Sequence, residues 1–471
     1  MDPYKEHYVY SSRRKDLAAI FKAGLKRVDP YRMLIDHVRL EGDTMKVRLD
    51  ESQHSINLEG YRKIMVIGAG KATAPMALAL EQILGERLDG GLIVVKYGHV
   101  EKLEKIEIVE ADHPVPDENG RRGAERIMSV ADQADETTLV ISLISGGGSA
   151  LIPLPFSSSE SGGTDSLSLE DKQETTGLLL SCGADIEEIN CIRKHLSMIK
   201  GGRLLERLAP ARSVNFILSD VVGDALSSIA SGVTCSDPTT YGDAWRILEK
   251  YQIETRIPEP VRQILERGIR GDLPETLKPG HPSLALTENI LIGTNTGALN
   301  AAADEARNRG YEVVKLTSRI VGEAKEVAKI LAGIAVDCAV QSTIASPPVC
   351  ILSGGEPVVQ IRGAGKGGRN QEMALAYLLE LERHEELCRE VSFLAASTDG
   401  NDGPTDAAGA FADLELLDRA RAAKLDLGAY LNNNDSYHLY EKIDGLLKTG
   451  PTNTNVCDLH LSLVAASQLF A

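Results

Sequence analysis

The residue types best suited to phosphate chemistry gather at a few glycine-rich turns. The most specific run is Arg362-Gly363-Ala364-Gly365-Lys366-Gly367-Gly368-Arg369-Asn370-Gln371-Glu372, between the apolar stretch Val358-Val359-Gln360-Ile361 and an Ala/Leu-rich segment. Glycines let backbone N–H groups come close to a ligand, and Lys366 and Arg369 add two full charges, a combination suited to a polyphosphate. Gly363, Gly365 and Gly368 also satisfy Gly-x-Gly-x-x-Gly, so a dinucleotide is a rival ligand. A dinucleotide site wants an acid at the end of the next strand, roughly 20 residues on. The next apolar run, Val391 to Ala395, leads instead to Asp399, about thirty residues beyond Gly368, so that expectation fails. Gly367, Gly368, Asn370 and Glu372 join Arg369 as candidate phosphate-binding residues.

Five other constellations carry chemistry. Gly68-Ala69-Gly70-Lys71-Ala72 is a strand-to-helix turn with a lysine where a helix dipole already favours an anion. It is not a Walker A loop, because Ala72 stands where a magnesium-binding hydroxyl is needed; a tight turn with a solvated lysine reads the same way. Ser145-Gly146-Gly147-Gly148-Ser149 exposes successive N–H groups at the end of an apolar strand, a cradle for a carboxylate or phosphate, although flexible linkers share this composition. Arg193-Lys194-His195-Leu196-Ser197-Met198-Ile199-Lys200 is basic in an acidic chain. Its Lys194 and Lys200 are candidate phosphate ligands, and Arg193, Ser197 and Lys200 share a helical face; a solvated charged face is the ordinary alternative, and His195 reads as structural or catalytic alike. Ser219-Asp220-Val221-Val222-Gly223-Asp224 offers two carboxylates to a magnesium ion or a hydroxyl proton, unless Asp220 only caps a helix. Asp399, Asp402 and Asp406 could gather around a divalent cation, but without EF-hand spacing. The Asn432–Asp435 and Gly450–Asn455 segments admit a ligand or a turn.

The elements positioning these residues are short β-branched runs alternating with amphipathic stretches: Ile64–Ile67, Leu92–Val95, Leu139–Ile144 and Val214–Leu218, then Ile290–Gly293, Val349–Leu352, Val358–Ile361 and Val391–Leu394. That rhythm predicts α/β architecture with a mostly parallel sheet, and ligands in such sheets bind beyond the carboxyl ends of the strands. Val349–Leu352 and Val358–Ile361 lie so close that they should pair antiparallel, making the second sheet mixed. The loop-rich stretch from Gly271 to Pro282 suggests a boundary, giving domains 1–280 and 281–471. Phe156 to Gly163 is a serine-rich surface loop.

With 471 residues the chain is long enough for two such domains. A net charge of −17 argues against nucleic acid or an anionic membrane surface as partner. Seven scattered cysteines without a Cys-x-x-Cys pair read as thiols of a reducing cytoplasm, and neither a signal segment nor a membrane span is expected.

In one order along the chain stand Gly70-Lys71-Ala72, Ala111-Asp112-His113-Pro114-Val115-Pro116-Asp117, Ser145–Ser149, Arg193–Ser197, Leu218–Asp224, Gly367–Glu372 and Thr398-Asp399-Gly400-Asn401-Asp402-Gly403-Pro404-Thr405-Asp406. Taken together they resemble the glycerate 2-kinase family of MOFRL type. The resemblance implies an enzyme that uses ATP, with Mg2+ or another divalent cation, to phosphorylate the 2-hydroxyl of D-glycerate. It implies an N-terminal Rossmann-like αβα domain, a C-terminal mixed α/β domain and an active site in the inter-domain cleft. The family's lysine, arginine and aspartate fall on Lys71, Arg369 and Asp399; the first two would neutralise charge on the moving phosphoryl group, and Asp399 would orient the metal or take the hydroxyl proton. Ser145 to Ser149 would hold the glycerate carboxylate or a phosphate. D-glycerate and ATP are then the partners, and a homo-oligomer is compatible with this reading. The rivals are a hydroxypyruvate reductase using NAD(P)H and a non-catalytic nucleotide-sensing module. This chain departs from the family's pattern at Asn453, in place of a glycine, and in its longer serine-rich loop.

Overall fold

The computed structural model describes residues 3–50, 52–157 and 166–466. Most of the serine-rich run lies outside the described residues; Ser157 and Ser166, on either side, meet in an antiparallel bridge. The chain forms two compact units, Pro30–Ile292 and a discontinuous one made of Met1–Asp29 with Gly293–Ala471. The change-over therefore falls at Ile292/Gly293 rather than at 280/281, and the first 29 residues join the later half of the chain.

In Pro30–Ile292, β1 (Val38–Glu41), β2 (Thr44–Arg48) and β3 (Gln53–Asn57) form a small antiparallel sheet. The main sheet holds β4 (Lys63–Ala69), β5 (Gly90–Lys96), β6 (Ile106–Ala111), β7 (Thr138–Ile144), β8 (Arg212–Leu218) and β9 (Thr287–Gly293), in the order β6-β5-β4-β7-β8-β9. The pairings from β6 through β8 are all parallel. β7 is buried at every position, as a strand covered by helices on both faces must be. The chain winds outward from β4 through β5 to β6, then returns to lay β7 on the other side of β4. This is the Rossmann order, and its switch point lies between β4 and β7. A second apolar cluster, including Leu179, Ile192, Tyr241, Leu248 and Ile264, joins helices Leu169–Ser181, Ile186–His195, Tyr241–Lys250 and Glu259–Ile269.

In the other unit, the sheet order is β10 (Glu312–Ile320), β11 (Val349–Gly355), β15 (Asp458–Val464), β12 (Val391–Ser397), β13 (Gly409–Ala412) and β14 (Leu446–Leu447). β10 and β11 are parallel, while β15 runs antiparallel to both β11 and β12. The sheet is mixed, as expected, but for a different reason. Val358–Ile361 is not a strand: Val358 makes one parallel bridge to Glu323, and Ile361 is 80% exposed. Irregular glycine-rich chain follows, and Val358 too is largely exposed. The first helix, Pro3–Arg27, packs on helix Asn295–Asn308 and on the sheet, burying Leu17, Ile20 and Phe21.

Candidate active site

At the switch point of the Pro30–Ile292 sheet, the loops after β4 and β7 are fastened together. The Lys71 N–H donates to the Gly146 carbonyl (3.0 Å), and the Ser145 N–H to that of Ala69 (3.2 Å). Ser145 Oγ accepts from the Ala72 N–H (3.1 Å) and lies 3.3 Å from Thr73 Oγ1, at the start of helix Thr73–Leu84. Ser145 is thus a fully buried clamp rather than a ligand. The glycines are demanded by these close approaches: a Cβ on Gly70 would fall 2.0 Å from Ser145 Oγ, at a φ of +149°. A Cβ on Gly146 would lie 2.3 Å from Asp220 Oδ2, and one on Gly147 2.9 Å from the His113 ring and 3.1 Å from Lys71 Cε. Lys71, Asp220 and His113, from the ends of β4, β8 and β6, therefore converge on Gly146-Gly147. Burial pushes the Asp220 carboxyl up, with Lys71 opposing the shift. Burial, then the charges of Lys71 and Lys96, bring His113 down to about 4, so it is neutral near pH 7. Asp224 sits in the following turn at φ +59°, its N–H on the Val221 carbonyl. His113 is the residue that reasoning from single motifs missed; its place in Asp112-His113-Pro114 just past β6 was the available signal.

The basic cluster divides. Lys200 Nζ reaches the glycine loop, donating to Ser149 O (2.5 Å) and Ser149 Oγ (2.9 Å). Lys194 does not: it is buried against Asp237 (2.9 Å), which also accepts from Thr239 and Thr276. His195 spans Cys191 O (2.8 Å) and Glu275 (3.2 Å) with its ring edge on Tyr241, a structural placement.

In the other unit, the glycine-rich loop is largely occupied by its own protein. N–H groups of Arg362 and Gly363 donate to Asn434 Oδ1, Ala364 to Asn433 Oδ1, Gly365 to Asn433 O and Lys366 to Asp435 Oδ1. The Asn432–Asp435 segment is accordingly the loop's scaffold. Gly367 and Gly368 let the chain pass Ser436 and Asp402, where a Cβ would meet them at 2.2 and 2.3 Å. Asp402 accepts from the N–H groups of Asn370 (3.0 Å) and Gln371 (2.8 Å), capping helix Arg369–Arg383 from a distant loop. Burial pushes its carboxyl up to about 7 in spite of those donors. Asn370 also donates its side-chain amide to Asp402, and Glu372 accepts from Asn434 (2.9 Å), so both hold the loop. Arg369 grips Asp458 with two N–H groups (2.6 and 2.9 Å) and Glu356 with a third (2.9 Å). Of the five donors of a guanidinium, two have no partner among the described residues.

Asp399, Asp402 and Asp406 do not gather. Asp399 Oδ1 accepts from Ser397 Oγ (2.8 Å) and the Asn401 N–H (2.9 Å), while Asp406 pairs with Tyr437 and Lys448. Among the described residues no three His, Cys, Asp or Glu are grouped as a ready metal site. Asn453 adopts φ +60°, the backbone a glycine would take, so the departure there preserves the turn.

Residues 16–266 match DUF4147, described as a domain of unknown function, and residues 349–458 match the MOFRL family. Over 445 residues the chain is 41% identical to the glycerate 2-kinase of Pyrococcus horikoshii, covering 94% of this chain and 96% of that one. The chain belongs to the glycerate 2-kinase family. It is also similar to the crystal structure of the Thermotoga maritima glycerate kinase, with a TM-score of 0.83 and 38% identity over 97% of this chain and 100% of that one. A protein of Agrobacterium vitis called a putative hydroxypyruvate reductase is 40% identical over 404 residues, 85% of this chain and 87% of that one. In this glycerate 2-kinase family member, β5 ends on Lys96, where an NAD-binding Rossmann domain would place its ribose-binding acid. No helix of the described residues is long and apolar enough to cross a membrane.

Proposed function

We propose that the chain transfers the γ-phosphoryl group of ATP to the 2-hydroxyl of D-glycerate, giving 2-phosphoglycerate and ADP, as a phosphotransferase of the cytoplasm. The observation that supports this most is the convergence of Lys71, Asp220 and neutral His113 on the backbone of Gly146-Gly147 at the switch point. A lysine, a carboxylate and a glycine backbone in one place suit an anionic acceptor with a hydroxyl to activate. In the transfer, the O2–P bond forms as the bond from phosphorus to the departing ADP oxygen breaks, and the hydroxyl proton passes to a carboxylate. Asp399 is assigned that proton; its second carboxylate oxygen has no hydrogen bond among the described residues. Lys71 is assigned the charge developing on the phosphoryl oxygens, and Arg369, with its two spare donors, the phosphates of the nucleotide. Asp220 and Asp224 fit a magnesium ion, which takes one or two carboxylates and completes its shell from water and phosphate oxygens. Bound there, the ion would supply charge neutralisation to the phosphates.

The test is to incubate the protein with Mg-ATP and D-glycerate and couple the product to enolase without a mutase, while following NADH oxidation with hydroxypyruvate in parallel. An enolase signal is expected. NADH loss without it would replace the kinase reading by a reductase, and neither signal would leave a non-catalytic nucleotide binder. Lys71→Ala and Arg369→Ala should each lower kcat by about 100-fold or more with an unchanged circular dichroism spectrum.

A further inference from the structure

Beside the glycine loop lie three cations without a counter-ion among the described residues. Lys172, on helix Leu169–Ser181, is 8% exposed, and its Nζ has no hydrogen-bond partner. Lys200, 3% exposed, has Ser149 as the hydrogen-bond partner of its ammonium among the described residues. Arg193, on helix Ile186–His195, is half-buried and makes no ion pair among the described residues. The three are near enough that Lys172 and Arg193 both act electrostatically on Lys200, and Arg193 on Lys172. Burying an ammonium without a carboxylate is unfavourable, and structural cations avoid it. The neighbouring Lys194 shows how this fold neutralises such a charge, by placing Asp237 against it at 2.9 Å. Among the described residues no acid is placed against the other three, which marks a place suited to an anion from outside.

The surroundings define its shape. Ser149 Oγ lies 2.8 Å from Ser231 Oγ, which donates to Asn190 Oδ1 (2.9 Å), one turn before Arg193 on the same helix. Ala230 and Ser231, neither of them glycine, are held at φ +48° and +57°, a strained turn beside the network. Ser149 is two residues from Gly147, against which Lys71 and His113 lie, and two residues span at most about 7 Å. The Ser149 end of the three-cation cluster and the Lys71 end of the glycine loop thus belong to one short stretch of chain. The near-complete burial of two of the ammonium groups favours a small anion over a triphosphate.

We infer that Lys172, Arg193, Lys200 and Ser149 form the subsite for the carboxylate of the acceptor, a small 2-hydroxy acid. This deepens the glycerate reading and rests on it for the identity of the acceptor. Lys172 and Arg193 bind the group that does not react, so their loss weakens acceptor binding and leaves nucleotide binding alone.

Lys172→Met and Arg193→Met should each raise the KM for D-glycerate about tenfold or more and leave the KM for ATP within about twofold. In thermal-shift titrations, D-glycerate should stabilise the unsubstituted protein but neither variant, and glycerol, which lacks the carboxylate, should stabilise none of the three. Lys172→Met should not lower the melting temperature in the absence of ligand, because it removes an unpaired buried charge; Arg193→Met, at a half-exposed position, gives a second reading. An unchanged KM for D-glycerate in both variants, or a rise in the KM for ATP alone, would overturn the subsite while leaving the kinase reading intact. Should the unsubstituted protein make no 2-phosphoglycerate, the kinase reading fails. The D-glycerate shift then decides the subsite separately, supporting it if lost in the variants and refuting it if absent from the start.

Discussion

A lysine side chain buried without a partner leaves a trace in the pH dependence of stability. Burial, then repulsion from Arg193, brings Lys172 down to about 7, whereas in the unfolded chain it titrates near 10.5. Between those values the unfolded state binds more protons, so this residue makes stability rise with pH; below about pH 7 its penalty is complete, and above 10.5 it vanishes. Lys172→Met should therefore gain on the order of a few kcal/mol at pH 6, and the gain should fade as pH approaches 10, measured as the difference in urea unfolding free energy between the two proteins. Arg369 makes a different prediction. Asp458 fixes its guanidinium through two parallel bonds, and a lysine cannot reproduce that fork. Arg369→Lys should lose most of the activity in the enolase-coupled assay, although the charge is kept. At this scale, residue type and place after a strand were enough to put Lys71 and Asp220 beside the same glycine turn, Gly146-Gly147, where the structure has them. They did not suffice for Lys194 and Lys200, six residues apart in one cluster, because helical spacing does not reveal that Asp237 comes from another element to claim the first.

The loop from Arg362 to Gly368 is shaped by what it touches more than by its own glycines. Five successive N–H groups are taken by Asn433, Asn434 and Asp435, a pairing across about seventy residues that no local pattern displays. The same long reach explains Asp402, expected among metal ligands and found capping helix Arg369–Arg383. Asp402→Ala removes both capping bonds and should destabilise the protein by about 1–2 kcal/mol, with faster amide exchange confined to the first turn of that helix. Gly70→Ala places a methyl against Ser145 at a φ that L-residues avoid, and should destabilise by roughly 1–3 kcal/mol while displacing Lys71. Urea unfolding and kcat should fall together in that variant, whereas Lys71→Ala should alter only kcat. The parallel sheet was legible because buried strands and the turns after them are local. Val358–Ile361 misled because an apolar run has a strand's composition whether or not a surface exists to bury it.

For the molecule as a whole, the division into an uninterrupted unit and one assembled from both ends of the sequence makes stability separable. Residues 30–292 expressed alone should fold, unfolding cooperatively and matching the full chain in the amide-exchange protection measured at β4, β7 and β8. Deleting residues 1–29 should instead loosen helix Asn295–Asn308, from which it strips Leu17, Ile20 and Phe21, and leave β4 to β8 unaffected. Length and a loop-rich stretch were enough to suggest two domains; that the first helix belongs with the second one was not legible, since its partners lie almost 300 residues away. A timetable follows from where β15 lies. Residues 458–464 sit in the middle of their sheet, hydrogen-bonded on one side to β11 and on the other to β12. On the ribosome, helix Pro3–Arg27 must wait for partners that emerge later, while the inserted unit can complete itself before they appear. The sheet flanked by Arg369 and Asp399 cannot close until its central strand has left the exit tunnel, so a polypeptide halted before residue 458 would carry one finished half and one with a gap at its centre.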